Sequence, residues 1–174
     1  TYMLEEITSS LSDGGTLKQR FRYTADIPGG IYPEMRERHL LNLPVESQTY
    51  KNGKLTGGKL ITYQKIHDMF LPYRVFTRKS NTAYSSTSFY NGSETSFPDF
   101  NPPVTFRSFD SKGNCIEYVP ENGIPIIYIW GPNAPSPVAM IQNATLDEIK
   151  QLVDFDKCVT GKQSIDAYFM NRDF

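Results

Sequence analysis

The sequence predicts a mainly β fold, a β-dominated α+β chain of antiparallel hairpins in a meander, with short helices placed mainly toward the C-terminus. Three observations predict it. Eleven Tyr and eleven Phe, with twelve Gly and twelve Pro spread over 174 residues, suit many short strands better than long helices. Four turn signals, Asp13–Gly15, Asn52-Gly53, Asp110–Gly113 and Asn122-Gly123, each separate two strand-like runs. The runs themselves alternate polar with apolar residues or are rich in β-branched and aromatic ones. A chain of this length fills one core of ordinary size, so residues 1–174 are expected as a single domain, with the meander over about 45–142 and a helical tail over 145–174.

From the N-terminus, Thr1–Leu11 and Thr16–Thr24 flank Ser12-Asp13-Gly14-Gly15 as a hairpin. In the second run Leu17, Gln19, Phe21 and Tyr23 alternate with Lys18, Arg20 and Arg22, the period of a half-buried strand, and the cationic face is expected to be wet. Pro33 suits the first position of a helix over Glu34–Leu41, because its missing N–H has no partner to lose there, and Pro44 stops that helix. Val45–Lys51 and Lys54–Tyr63 flank Asn52-Gly53, the strongest short hairpin signal in the chain. Leu71–Lys79 reads as a strand with Pro72 at its start. Ser80–Pro103 reads as a long loop with one strand, Tyr84–Tyr90, and long loops are often functional.

The densest stretch is Phe106–Met140. Asp110 can accept bonds from the backbone ahead of it, Ser111 and Lys112 form the bend, and Gly113 supplies the positive φ that closes a type I turn with a G1 bulge. Beyond it Cys115, Glu117 and Val119 alternate with Ile116 and Tyr118, and the apolar run Ile124–Trp130 is expected as a buried central strand. Pro137–Gln142 is a further strand. Thr145 with Glu148 forms a capping box for a helix to about Val153, on which Leu146, Ile149 and Val153 share a face; a second short helix is expected from Ser164. These helices should cover a sheet edge or face, the alternative being an edge-mediated dimer.

The octet Phe109-Asp110-Ser111-Lys112-Gly113-Asn114-Cys115-Ile116 resembles the YD repeat of RHS-type proteins, with phenylalanine in place of the tyrosine. The segment EYVPENGIPIIYIWGPNAPSPVAMIQNATLDEI is similar to one in large RHS/YD-repeat-like bacterial surface or secreted proteins: an N-G turn, a Tyr-Trp strand, a short loop ending in Pro, and an N-A-T-x-x-E-I helix start. Upstream, Tyr32 and Met35, then Asn42 and Pro44, then Tyr50-Lys51-Asn52-Gly53 extend the likeness over roughly Tyr23–Ile149, after which it departs. The resemblance implies strand–turn–strand units and a non-catalytic structural segment of a larger exported or cell-surface protein. Its partners would be the remainder of that protein or a surface glycan or protein.

The chemistry of the residues is consistent with that reading. A net charge of −1 gives no field to attract nucleic acid, and no run approaches the roughly 18–20 apolar residues of a membrane span. Cys115 and Cys158 make neither a metal cluster nor a disulfide framework and are expected as two unpaired, partly buried thiols. His39, His67 and Cys115 are the available bases and nucleophile, but nothing around Cys115 resembles a nucleophile elbow. The acids Asp147, Glu148, Asp154 and Asp156 are read as helix caps and a solvated face; Asp154-Phe155-Asp156-Lys157 lacks the glycine and closing glutamate of a calcium loop. No Gly pair precedes a GK[ST] phosphate cradle. No enzyme activity, metal or cofactor is therefore expected, a hydrolase being the third reading. Structural turns fall on Asn52, Gly53, Asp110, Gly113, Asn114, Asn122 and Gly123. The second reading is a glycan- or protein-binding module in which Tyr84, Phe89, Tyr90 and Trp130 are the ligand-stacking candidates. Asn91-Gly92-Ser93 and Asn143-Ala144-Thr145 match a glycosylation acceptor.

Overall fold

The computed structural model describes residues 3–79, 88–93, 99–132 and 135–159. It is mainly β, with nine strands that follow one another in chain order among these residues. The chain forms two compact units, Thr1–Lys65 with Phe70–Pro103 and Ile66–Met69 with Val104–Phe174.

The first unit holds β1 (Glu6–Ser10), β2 (Thr16–Tyr23), β3 (Pro44–Lys51), all of β4 (Lys54–Ile66) but Ile66 and all of β5 (Met69–Thr77) but Met69. β1, β2, β3 and β4 pair antiparallel in that order. Asp13 Oδ1 accepts the Gly15 N–H at 2.9 Å and closes the first turn. Lys51 pairs with Lys54 across a two-residue loop in which Asn52 and Gly53 both have positive φ, the type I′ geometry that matches strand twist. Asn52 Oδ1 also accepts the Thr16 N–H at 2.8 Å, tying the tip of one hairpin to the start of β2.

The helix of this unit, α1 (Tyr32–Glu37), carries Pro33 in its first turn but is shorter than the expected Glu34–Leu41. The reason is a C-terminal cap. His39 takes positive φ, its N–H reaches the Arg36 carbonyl at 2.9 Å, and the Leu40 N–H reaches the Met35 carbonyl at 2.9 Å, a Schellman motif with histidine where glycine is usual. Tyr32 and Met35 then pack with Ile27, Val45, Leu60, Phe76 and Phe100 as one core. Pro72 lies within β5, not at its start, and Tyr84–Tyr90 is not described as a strand: Ser88–Tyr90 have no regular structure and the rest lies outside the described residues.

The second unit contains β6 (Val104–Phe109), β7 (Cys115–Val119), β8 (Ile126–Trp130) and β9 (Pro137–Gln142), each antiparallel to the next, followed by α2 (Leu146–Lys150) and α3 (Phe155–Val159). Ile127 and Ile129 pack with Ile149, Val153, Phe155 and Cys158, so the tail does supply an apolar cover for β8. Thr145 caps α2 through the expected box: its Oγ1 accepts the Glu148 N–H, and Glu148 Oε2 accepts the Thr145 N–H at 2.8 Å. Two boundaries differ from expectation. α2 stops at Lys150, and Asp154 Oδ1 then accepts the Lys157 N–H at 3.0 Å, starting a separate helix where one continuous helix to Val153 was expected. The helix expected from Ser164 lies outside the described residues. The strand expected over Ile124–Trp130 begins at Ile126, and its burial alternates, with Ile127 and Ile129 buried and Ile126, Tyr128 and Trp130 half-buried. An apolar run alone does not distinguish burial on two faces from one covered and one aromatic face.

Candidate functional site

The turn residues are placed by backbone chemistry. Asp110 is 3 % exposed, and its Oδ1 accepts the N–H groups of Lys112 and Asn114, both at 2.9 Å, while Oδ2 accepts Asn114 Nδ2 at 2.8 Å. The Gly113 N–H closes the turn on the Asp110 carbonyl at 3.0 Å, and Gly113 has a φ of 83°. In the next turn the Gly123 N–H reaches the Pro120 carbonyl at 2.9 Å and Asn122 Oδ1 accepts the Ile124 N–H. The side chains Asn52, Asp110, Asn114 and Asn122 thus bond the backbone or one another, and Gly53, Gly113 and Gly123 supply positive φ.

The ligand-stacking candidates have different surroundings. Tyr84 lies outside the described residues. Phe89 lies under two guanidinium groups, Arg20 at 4.9 Å and Arg22 at 5.3 Å, so the cationic face of β2 expected to be wet carries an aromatic ring. Tyr90 packs edge-on against Tyr32. Trp130 donates its indole N–H to the Cys115 carbonyl at 2.8 Å in the other unit.

Sequence reading missed what holds Tyr90 in place. Glu46, on β3, is buried; one carboxylate oxygen accepts the Tyr90 N–H at 2.6 Å, and the other accepts Gln48 Nε2 at 3.1 Å and Arg78 at 3.4 Å. Arg78 also lies 3.9 Å from Asp99 and over the Phe100 ring. Beside this network the Gly29 N–H donates to the Asn91 carbonyl, and a Cβ on Gly92 would lie 2.5 Å from the Gly29 backbone, a crossing open only to glycine. The only sequence signal was a Glu and an Arg at strand positions 32 residues apart, a separation no local pattern connects.

A second set of rings does line up. Phe106 opposes Tyr118 across β6 and β7, and Tyr128 stacks on Tyr118 from β8, with centroids 6.1 Å and 5.7 Å apart. Tyr118 opposes Ile126, and Tyr128 opposes Met140, which is 57 % exposed. Side-chain alternation puts Ile126, Tyr128 and Met140 on the face of β8 and β9 away from Ile127 and Ile129, which the helices cover. A hydrogen bond with Tyr118, then burial, pushes the Tyr128 phenol up, so that hydroxyl stays protonated at neutral pH. Register shifts between β6 and β7 interrupt strict alternation, and both Ile116 and Glu117 are buried there. The row Phe106–Tyr118–Tyr128, continued by Met140, is the candidate binding surface.

His39 caps α1 in the first unit, and His67 with Asp68 forms the positive-φ turn between β4 and β5. Burial, with Glu117 second, pushes the Cys115 thiol up to about 12, and burial, with Asp154 second, also raises that of Cys158. Both cysteines are free thiols. A cleft of about 520 Å³ in the second unit is lined by Arg107, Asp110, Lys150, Asp154 and Asp156 among others; neither histidine nor Cys115 is among its described lining residues. Among the described residues no group of three His, Cys, Asp or Glu side chains could hold a metal ion, and no helix is long and apolar enough to cross a membrane.

No protein-family model matches this chain, and no curated protein matches it.

Proposed function

We propose that this chain is a non-catalytic structural segment of a larger exported or cell-surface protein of the RHS/YD-repeat kind, a hairpin wall that displays or encloses other parts of that protein. The observation that carries this reading is the turn Phe109–Cys115. Its Asp is buried and spends its oxygens on the turn's own N–H groups, so the motif that resembles a YD repeat builds architecture and presents no reactive group. A Cys115 thiol raised to about 12 is a poor nucleophile at neutral pH, which also favours a structural role. The partners are then the remainder of the repeat protein or a surface glycan or protein, not nucleic acid. Two copies would pair through β9, whose sequence PVAMIQ carries no charge to discourage edge pairing.

The test is protease accessibility on intact cells that express the full-length protein. Digestion of the segment by added protease is expected, and full protection without permeabilisation would refute the exported placement. A hydrolase panel on the purified chain addresses catalysis: turnover that disappears in Cys115→Ala or His67→Ala would overturn the structural reading.

A second reading, recognition of a glycan or protein by aromatic side chains, is favoured by the half-buried row Phe106–Tyr118–Tyr128 with exposed Met140 beside it. Glycan-array binding by the wild type that is lost in Tyr118→Ala and Tyr128→Ala supports it. Retention of binding in both variants moves the site elsewhere.

A further inference from the structure

The first unit carries a cleft of about 470 Å³ on the surface of β1, β2 and β3, lined by Glu6, Thr8, Thr16, Lys18, Arg20 and Tyr50 among others. Register places these side chains together: Glu6 opposes Arg20 and Thr8 opposes Lys18 on one side, and Lys18 opposes Tyr50 and Arg20 opposes Gln48 on the other. Lys18 Nζ lies 3.0 Å and Arg20 Nε 3.8 Å from the two oxygens of Glu6, so two cations share one carboxylate. Phe89 stacks on the Arg20 guanidinium and limits its orientations. Tyr50 donates its hydroxyl to Gln48 Oε1 at 2.5 Å, which fixes the far wall.

We propose that this cleft binds carboxylates carried by an acidic, extended polypeptide segment. Three features argue for that ligand. Two cations against one anion leave an excess positive charge that a further carboxylate complements. Lys18 and Arg20 stand at alternate positions of β2, about 7 Å apart, the spacing of alternate side chains in an extended peptide. β1 is the first strand of the order, and a terminal strand offers main-chain groups to an added strand, which a saccharide cannot use in the same way. Glu6 occupies the position of the incoming group. Its ion pairs are exposed and weak, so an arriving carboxylate displaces it at little cost. This inference concerns the first unit alone and does not depend on the chain's being exported.

Fluorescence anisotropy of a labelled, N-acetylated oligoglutamate peptide at low salt, titrated with the full chain, tests the proposal. Lys18→Ala with Arg20→Ala is expected to weaken binding about five- to tenfold, and Glu6→Gln to strengthen it about threefold, by the worth of exposed ion pairs. Lys112→Ala, which removes a cation from the second unit, is expected to leave binding unchanged. Circular dichroism confirms folding of each variant; if the double variant does not fold, the sign of the Glu6→Gln effect decides alone. Absence of peptide binding, or equal weakening by Lys112→Ala, overturns the proposal. So does preferred binding of a uronate oligosaccharide that Glu6→Gln weakens, because a glutamate that accepts sugar hydroxyls marks a glycan site.

Discussion

At the scale of single residues, the turn Asp110–Gly113 shows how little sequence is needed to fix a bend. Gly113 sits at a φ of 83°, which a β-branched residue adopts only with a clash between its side chain and the backbone. Gly113→Val is therefore expected to lower stability by about 1–2 kcal/mol or more, while Lys112→Ala, on the exposed part of the bend, is nearly neutral. Equal urea midpoints for the two variants would contradict this. Asp110→Ala removes the acceptor for two backbone N–H groups and is expected to cost about 1–3 kcal/mol. Cys115 makes a pH prediction. Its folded-state value of about 12 lies above that of an unfolded thiol, so folding opposes thiolate formation; the associated stability is complete below the unfolded value, near 9, and is lost as pH rises toward 12. Iodoacetamide should accordingly label Cys115 in urea far faster than in the native chain at pH 8, and equal rates would show an open thiol.

Among the elements, the capping box at Thr145 and the apolar spacing of Leu146, Ile149 and Val153 were readable because both are local. What α2 covers was not. Ile149 is buried with Ile127 and Ile129, and Ile149→Asp is expected to cost about 2–4 kcal/mol by placing a charge against that cluster. Light scattering should then find a variant that self-associates through the uncovered face; a monomer with wild-type stability would mean that α2 covers nothing. The segment around Tyr90 depends on Glu46 in another way. Glu46→Ala removes the carboxylate paired with Arg78 and the acceptor of the Tyr90 N–H. A loss of about 2–4 kcal/mol is expected, and Glu46→Gln, which retains an acceptor oxygen, should cost less. A glutamine variant with the denaturation midpoint of the alanine variant would show that the Tyr90 contact contributes nothing.

On the scale of the whole molecule, each unit has its own core, one around Tyr32, Met35 and Leu60 and the other around Ile127 and Ile129. Leu60→Ala and Ile129→Ala should each cost about 2–5 kcal/mol, and hydrogen exchange should accelerate mainly in the strands of the substituted unit. The same exchange pattern from both variants would indicate one shared core. The sequence by itself determined the β class, the four hairpin turns and the cap of α2, because each depends on backbone geometry or on residues within four positions of one another. It also made the phenylalanine–aspartate turn legible as a structural motif. Only the tertiary structure decided that Glu46, paired with Arg78, anchors Tyr90, and that Phe106, Tyr118 and Tyr128 form a row. Those outcomes depend on strand register and on contacts between residues tens of positions apart, where a one-residue slip exchanges the two faces of a strand and the local pattern still reads the same.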